Sequence, residues 1–400
     1  MTIGDKLPAE WKTTTDPQTG RTIKQFTSAR ANSYPLYYFI PTITPDGQTL
    51  IFHSERAGWV QLYKMDLGTG EMTQLTGGRT RDAGWAMWCE PRLRGIYNHL
   101  SALNGVKGEV YYFQDEEVRC THIDSLENRV VHAMPGRISM GQTGFSPDGR
   151  LFAFIHADRE QFTQAIADRE SILNMGQPFN HNAWRDEMPV TVGLIDTETG
   201  AYRDVISLDF HVHHVFFIDN ERLLINHVQG ENGMWIIKVD GSGRRQLRSS
   251  SEGHGAVCHQ LITERGIFYE ANVWRDSERE VWFGRYNLEA DTFEEVQLPG
   301  VGYVHTGYDP AGRFLFIENQ LKDRHELASV HFPAQPERFQ IKQIRKLTEI
   351  VRGQRYHAHP FLSPDRQWLF YTEILDGFSQ VCAVDVGDLV DLDEYWPDRT

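Results

Sequence analysis

The sequence predicts an all-β protein folded as a seven-bladed β-propeller. Two kinds of hairpin motif recur along the 400 residues and alternate, with roughly 40–60 residues per pair. Each such unit contains short apolar segments separated by turn residues, as expected for four antiparallel strands. Repeated four-stranded units of this size are typical of the blades of a β-propeller.

The first hairpin motif joins two strands through a turn rich in Asp, Thr and Gly. It occurs at 61–76, 192–203 and 234–247, and more loosely around 286–291. The second motif is a short turn, usually containing Pro and Asp, that precedes an apolar strand. It occurs at 44–47, 146–149, 309–312 and 363–366. Both turn types use Gly and Asp because these residues tolerate the positive φ of a tight turn.

Seven units can be placed by the starts of their inner strands, near Tyr37, Trp85, Met140, His213, Val257, Val304 and Tyr356. The last unit ends near Asp385 without an outer strand. The segment 16–27 has the pattern of the first hairpin motif, so we expect an N-terminal strand to complete the last blade. This strand would close the ring and remove an open sheet edge. Residues 1–400 are thus predicted to form a single β-propeller domain.

The third blade carries an insertion at about 158–188. Its first part, from Arg159 to Glu170, is composed of helix-forming residues, and the repeat resumes at Val190. Long insertions in compact domains are commonly lids or partner contacts, and Arg185 could reach a ligand from this one. The alternative is a surface elaboration with no contact to a ligand.

Composition limits the classes of partner. The net charge is −15 and no basic run occurs, which argues against nucleic acid. The mean hydropathy is −0.48, and no apolar stretch approaches the roughly 20 residues that span a bilayer, so we expect no membrane association. The N-terminal segment lacks the apolar run of a signal peptide. The four cysteines are far apart, which favours reduced thiols and a cytoplasmic location.

Candidate metal ligands lie in the stretch from Gln354 to Pro360. Alternate side chains of a β-strand share a face, so His357 and His359 are expected to point the same way, with the amide oxygen of Gln354 beside them. Two imidazoles and an amide oxygen suit Mn²⁺, Fe²⁺, Zn²⁺ or Ni²⁺. For an isolated pair of this kind, the alternative is that both histidines simply cap a strand.

The propeller repeat favours the metal interpretation. In this fold the first strand of each blade lines the central channel, and its start faces one mouth. Histidine lies at or near that start in four consecutive predicted blades: His213 or His214, then His259, then His305, then the pair His357 and His359. This recurrence favours a shared metal site over scattered structural histidines.

These motifs resemble the oligogalacturonate lyase family, a family of cytoplasmic seven-bladed β-propellers that degrade pectate oligomers and bind Mn²⁺. The Gln354, His357, His359 and Pro360 pattern is the most specific match. The resemblance implies that His305 is the remaining metal ligand. It also implies that His259, which like the family's catalytic histidine has Glu-Gly and Cys nearby, is the catalytic base.

The sequence departs from the family at one position. Family members carry an arginine that helps to bind or activate the substrate, and the corresponding segment here, 226–235, contains none. Arg185 or Arg355 could replace it, or the substrate could be different. His214 and His227 are further candidates for substrate contact, although His227 ends an apolar strand and could instead hydrogen-bond within its blade.

The expected chemistry is β-elimination on an acidic oligosaccharide. A metal on the uronate carboxylate would stabilise the charge that develops as the proton on C5 leaves, and His259 would accept that proton. Glycoside hydrolysis is less favoured, because no pair of carboxylates occurs at the predicted inner-strand starts. Two alternatives remain: a metal-dependent enzyme for another acidic sugar, and a non-catalytic, TolB-like binding propeller. A peptidase propeller is less favoured, since no hydrolase pattern follows the repeats.

Overall fold

The computed structural model describes residues 1–78, 101–176, 187–227, 233–275, 278–308, 315–321, 324–331, 340–347 and 354–390. The strands in its first part are β1 (Lys6–Leu7), β2 (Lys12–Thr15), β3 (Thr22–Gln25), β4 (Ser33–Pro35), β5 (Thr49–Ser54), β6 (Gln61–Asp66) and β7 (Met72–Gln74). The middle part contains β8 (Ala102–Asn104), β9 (Glu109–Gln114), β10 (Glu117–His122), β11 (Asn128–Ala133), β12 (Arg137–Ser139), β13 (Gly144–Phe145), β14 (Leu151–Asp158), β15 (Val190–Asp196), β16 (Tyr202–Leu208), β17 (His214–Phe217), β18 (Arg222–Asn226), β19 (Met234–Lys238) and β20 (Arg245–Arg248).

The remaining strands are β21 (Ala256–Thr263), β22 (Gly266–Arg275), β23 (Glu278–Asn287), β24 (Thr292–Gln297), β25 (Tyr303–Tyr308), β26 (Leu315–Leu321), β27 (Arg324–His331), β28 (Gln340–Lys346), β29 (Phe361–Leu362), β30 (Trp368–Leu375) and β31 (Phe378–Asp385). Helix α1 spans Arg159–Asn174, a short 3-10 helix spans Gln354–Tyr356, and helix α2 spans Gly387–Val390. Among the described residues, no helix is long and apolar enough to cross a membrane.

The described strands form seven antiparallel sheets, in agreement with the seven predicted units. The chain divides into two compact units, one of residues 1–78 and 257–400, the other of residues 79–256. The first unit contains four sheets, ordered β1-β7-β6-β5-β4, β21-β22-β23-β24, β25-β26-β27-β28 and β2-β3-β31-β30-β29. The second contains three, ordered β11-β10-β9-β8, β12-β14-β15-β16 (with β13 beside β14) and β17-β18-β19-β20. The second predicted unit was placed near Trp85, which lies outside the described residues.

Aspartates build the turns of the first hairpin motif. The side chain of Asp66 accepts the backbone N–H groups of Gly68 and Thr69 at 2.9 and 2.7 Å. Asp196 closes the turn after β15 in the same way, accepting from Glu198 and Thr199 at 3.0 Å each. This local hydrogen bonding explains why the motif could be recognised in the sequence.

The second hairpin motif combines a hydroxyl with an aspartate. Ser146 Oγ donates to Asp148 Oδ1 at 2.6 Å and accepts the N–H of Leu151 at 2.9 Å, and Gly149 takes a φ of 71°. In the last copy Arg366 adopts the left-handed φ, 63°, that glycine supplies elsewhere. The copy at 309–312 lies outside the described residues.

The last sheet contains strands from both ends of the chain, as the sequence predicted. β3 pairs with β31, placing Ile23 opposite Val384, and β2 follows β3 at the edge. The ring of Phe26 stacks on Phe370 at 5.2 Å between ring centroids. β1 was not predicted, and it extends the first sheet by pairing with β7.

The predicted helical insertion is present in the third sheet. Helix α1 begins directly after β14, and Phe162 on its first turn is completely buried among Ile138, Met188 and neighbouring core residues. Residues 177–186, including Arg185, lie outside the described residues.

Candidate metal and catalytic centre

The segment carrying His357 and His359 is not the strand that the sequence predicted. After the 3-10 helix Gln354–Tyr356 the chain is irregular, and β29 begins only at Phe361. His359 has a φ of 45°, which is incompatible with an extended strand, and Pro360 has no N–H to donate to a ladder. The segment is held instead by the N–H of Thr372, which donates to Ala358 O at 2.8 Å.

This irregular segment nevertheless brings the predicted histidines together. The ring centroid of His305, on β25, lies 4.7 Å from that of His357 and 4.4 Å from that of His359. The rings of His357 and His359 are 5.6 Å apart, and the ring of His259, on β21, is 4.9 Å from that of His305. Four imidazoles from three separate segments therefore form one cluster.

A buried glutamate lies behind three of these imidazoles. Glu318, on β26, is the direct cross-strand neighbour of His305 and is completely buried. Its carboxylate lies 2.9 Å from His305 Nδ1 and 3.3 Å from His357 Nδ1, and it accepts the backbone N–H of His359 at 3.3 Å. Gln320 Nε2 lies 3.0 Å from His357 Nδ1. The Nδ1 edges of His305 and His357 are thus engaged, which leaves their Nε2 atoms as the possible metal ligands.

The spacing of the three rings suits a shared divalent ion. Imidazoles that bind one ion through Nε2 at about 2.1 Å have ring centroids roughly 4.5–5.5 Å apart. Of the observed separations, 4.7 Å lies within this range, and 4.4 and 5.6 Å lie 0.1 Å outside its two ends. Burial also lowers the pKa of His305 to about 3, despite the opposing effect of Glu318, so this imidazole is neutral at cellular pH as a metal ligand must be.

The charge of Glu318 also favours a cation site at these histidines. Burial alone would raise the pKa of Glu318, but His357, His305 and His325 hold it well below its usual range, so the carboxylate is ionised. Its ion-pair partners among the described residues are all histidines. A buried carboxylate whose described ion-pair partners are imidazoles, with no Lys or Arg among them, is stabilised further by a cation bound nearby.

His259 has a different environment. Its Nδ1 lies 2.7 Å from Oε2 of Glu270, a completely buried carboxylate on β22, and Arg279 of β23 forms an ion pair with the other oxygen. Cys258, His259 and Glu270 could also hold a metal by distance alone. Because Arg279 already balances Glu270, however, this group has no need of a cation. The cluster around Glu318 is therefore the better candidate for the metal site.

Aromatic side chains cover the imidazoles. Tyr38 stacks on His359 with ring centroids 5.1 Å apart, and its ring lies 5.3 Å from His305 and 6.0 Å from His259. The rings of Tyr37 and His359 pack in a T-shaped arrangement with their centroids 4.9 Å apart. Both tyrosines are almost completely buried, so the segment 37–39 forms part of the wall of the site.

The other predicted site residues lie as follows. Arg355 pairs with Glu55 at 2.7 Å and lies over the ring of Tyr356. His214 begins β17 and is buried, and the ring of His227, just after β18, stacks on Phe210 at 4.5 Å. Gln354 is the first residue of the 3-10 helix, but its side chain lies outside the described part of the structure, as does the whole of Arg185.

Glu270, Glu318 and Arg279 were not identified from the sequence. The two glutamates stand alone in apolar strands, in Phe268-Tyr-Glu-Ala and Phe316-Ile-Glu-Asn, at positions where their neighbours are buried. An isolated acid in such a strand is a usable signal, because a buried carboxylate requires a partner. The identity of that partner depends on contacts between strands and could not be deduced locally.

Comparisons with known proteins identify related sequences along the full chain. No protein-family model matches the sequence. Oligogalacturonate lyase of Dickeya dadantii (strain 3937) is 20% identical over 428 residues, which covers 98% of this chain and 100% of the relative. Oligogalacturonide lyase of Pectobacterium atrosepticum (strain SCRI 1043) is also 20% identical, over 415 residues, with the same coverage.

Two solved structures have the same fold. An oligogalacturonate lyase in complex with manganese superimposes with a TM-score of 0.77 at 16% identity and covers 98% of this chain and 100% of its own. An oligogalacturonate lyase from Vibrio parahaemolyticus gives a TM-score of 0.76 at 16% identity and covers 97% and 100%. These similarities confirm the predicted seven-bladed β-propeller and the family resemblance first seen in the histidine motifs.

Proposed function

We propose, on the premise that this chain resembles the oligogalacturonate lyases over its full length, that it is a metal-dependent lyase of short uronic-acid oligosaccharides. The reaction is a β-elimination. The observation that supports this proposal best is the cluster of His259, His305, His357 and His359, in which two buried glutamates divide the imidazoles into a metal-binding group and a single base.

In this proposal His305, His357 and His359 hold the metal, and Gln354 is the fourth ligand expected from the sequence. The bound ion, with Mn²⁺ as the first choice and Fe²⁺, Zn²⁺ and Ni²⁺ as alternatives, supplies Lewis-acid stabilisation to the uronate carboxylate. The manganese complex of a structural relative supports this choice of ion. Local positive charge at the site also offsets the repulsion between an anionic sugar and a chain of net charge −15.

His259 is the general base. Its Nε2 accepts the proton from C5 of the uronate, and the electron pair of that C–H bond forms the C4=C5 double bond as the C4–O bond breaks. The leaving oxygen takes a proton from water. General-base catalysis of this kind contributes roughly 10²- to 10⁴-fold in rate. No nucleophile is required, and the product carries an unsaturated uronate end.

Location in the cytoplasm is part of the same proposal. Cys120 and Cys382 are completely buried and form no disulfide, which fits a reducing compartment. A soluble pool of short acidic oligosaccharides would then be the source of substrate.

A second candidate function is the same chemistry on a different acidic sugar. The segment 226–235 lacks the arginine of the lyase family, and Arg355, one predicted replacement, is engaged by Glu55. A site that recognises the sugar hydroxyls through other groups would select a different uronide.

The direct test is incubation of the purified, Mn²⁺-loaded protein with di- and trigalacturonate while the ultraviolet absorbance of a new C4=C5 bond is followed. We expect absorbance to rise, to stop on chelation, and to resume when Mn²⁺ is added back. The His259→Asn variant should retain its metal and lose turnover. Activity confined to oligomers of another uronic acid would select the second function, and no activity on any uronide would leave only a binding propeller.

A further inference from the structure

We propose that Glu270 is the positioning residue of the base: held in place by Arg279, it fixes the tautomer and orientation of His259. This inference rests on the proposed lyase function and adds two residues that no sequence motif indicated. It concerns a network of side chains on β21, β22 and β23.

The contact between Glu270 and His259 is short and isolated from water. Glu270 Oε2 lies 2.7 Å from His259 Nδ1, and the glutamate side chain has no exposed surface, while that of His259 is 10% exposed. An ionised carboxylate can only accept at this contact, so Nδ1 carries the hydrogen. The lone pair of the neutral imidazole is then on Nε2, the atom that must receive a proton from substrate.

Arg279 keeps Glu270 ionised. Burial alone would raise the pKa of Glu270, but the charge of Arg279, together with His259, holds it below its usual value. Arg279 lies on β23, where its ion pair occupies Oε1, the carboxylate oxygen that His259 does not use. Each oxygen thus has its own partner, and a rotated carboxylate would lose both contacts.

The same hydrogen-bond network also includes Cys258, the residue that precedes the base His259 in the chain. Asn272, two residues after Glu270 and on the same face of β22, accepts from Arg279 Nε at 2.5 Å. Its amide donates to Cys258 Sγ at 3.1 Å. The orientation of Arg279 is therefore set from two sides.

The backbone of His259 supports a special orientation. His259 has a φ of 51° inside β21, a conformation that interrupts the alternation of side chains along a strand. Backbone conformations of this kind persist where surrounding contacts impose them, and the Glu270 contact is one that does so here. The two buried glutamates consequently have different roles, since Glu318 collects imidazoles around a cation site and Glu270 directs a single imidazole.

Two substitutions at Glu270 separate a positioning role from a packing role. Glu270→Gln keeps the shape but loses the charge, and its NH₂ group must face either Arg279 or His259 Nδ1. If the NH₂ group faces His259, it donates to Nδ1 and forces the imidazole hydrogen onto Nε2. His259 then cannot act as the base, as in carboxylate-to-amide changes at Ser-His-Asp sites. Glu270→Asp keeps the charge but is one methylene shorter. If Glu270 directs His259, the Asp variant retains more activity than the isosteric Gln variant; if it only fills space, the order is reversed.

We expect kcat of Glu270→Gln to fall by about 100-fold or more with KM within about threefold of the parent, because the lost interaction acts on the transition state. Glu295→Gln is the matched control and should retain activity, since Glu295 accepts from Tyr269 and lies on β24, at the opposite edge of the sheet from β21. Manganese content measured on all variants should be unchanged, which separates the base from the neighbouring metal site.

A second readout does not depend on turnover. In the Zn²⁺-loaded protein labelled with ¹⁵N-histidine, the signals of His259, identified by their loss in His259→Asn, should show a protonated Nδ1 and an unprotonated Nε2, and Glu270→Gln should change this pattern. An Nε2-protonated His259 in the parent protein would overturn the inference even if the enzyme is active. Conversely, an inactive parent protein with the expected tautomer would refute the lyase function while the positioning contact stands.

Discussion

His259 and His359 share a backbone feature that separates them from the other histidines of the site. Both have positive φ, 51° and 45°, whereas His305 and His357 do not. Among non-glycine residues, Asn, Asp and His tolerate this region best, and β-branched residues tolerate it worst. The two positions are therefore constrained in the backbone as well as in the side chain.

This constraint predicts a difference between two substitutions at one position. The free energy of unfolding in urea should be about 1–2 kcal/mol lower for His359→Val than for His359→Asn, because the left-handed conformation is unfavourable for valine. The same pair of changes at His357, where φ is not positive, is the control and should differ by less. Metal-free protein is used for all four variants. Equal differences at the two positions would show that φ at His359 carries no strain.

A second residue-level prediction concerns Glu318. Glu318→Gln should weaken Mn²⁺ binding by about 10- to 100-fold, measured by titration calorimetry, since residues that orient metal-ligating imidazoles typically have effects of this size. Glu326→Gln is the control: Glu326 is also buried on this sheet, but it contacts Asn319, Gln343 and Arg324 instead of histidine. Similar Mn²⁺ affinity of the two variants would show that Glu318 does not support metal binding.

At the level of single elements, the third sheet contains a histidine unrelated to the proposed chemistry. Arg137 Nε donates to Nδ1 of His156, on β14, at 2.9 Å. Nε2 of His156 lies 2.6 Å from the hydroxyl oxygen of Tyr202. Burial, and then the charge of Arg137, lower the pKa of His156 to about 4, outweighing the opposite effect of Asp204. The imidazole therefore stays neutral in the folded protein well below pH 6.5.

This shift predicts a pH dependence of stability. The unfolded chain binds a proton at His156 near pH 6.5 while the folded chain does not, so the stabilisation is complete above about pH 6.5 and is lost as the pH falls to about 4. The loss amounts to about 3 kcal/mol at roughly 1.4 kcal/mol per pKa unit. His156→Gln should reduce the slope of unfolding free energy against pH in this window, measured by urea titration. Parallel curves for the two proteins would contradict the assignment.

The elements also show what local sequence can and cannot predict. The Asp66 and Ser146 turns were predictable because their hydrogen bonds connect residues at most five apart. The strand at His357 and His359 was predicted wrongly because alternation assumes extended φ, whereas His359 has a left-handed φ of 45°. The grouping of His259, His305, His357 and His359 was still predicted, since the repeat places histidine at successive blades regardless of local conformation. Glu270 and Glu318 were missed because their partners lie on other strands.

At the scale of the whole molecule, one buried ion-pair network joins distant parts of the chain. Arg345 on β28 contacts Asp16, in the turn between β2 and β3, at 2.6 Å and Glu373 on β30 at 2.8 Å. The side chains of Asp16 and Glu373 are 4% and 1% exposed, and Arg345 is the cation that pairs with both buried carboxylates. The ion pairs thus link the turn of the β2–β3 hairpin to β28 of another sheet, and link β28 to β30 of the hairpin's own sheet.

Removing that guanidinium should be costly. Arg345→Met should lower the free energy of unfolding by about 3–5 kcal/mol, because it leaves two buried carboxylates without a compensating cation. Combining it with Glu373→Leu should recover part of the loss. Arg21→Met is the control, since Arg21 pairs with the largely exposed Asp388, and it should change stability by less than about 1 kcal/mol. A loss for Arg345→Met no larger than this control would show that the network is dispensable.

The pairing of β3 with β31 has a consequence for biosynthesis. Ile23 leaves the ribosome about 360 residues before Val384, its partner across the sheet, so the last blade cannot form until Val384 has been synthesised. Until then the edge of β3 that pairs with β31 is open, and open strand edges of this kind make a nascent chain prone to aggregation.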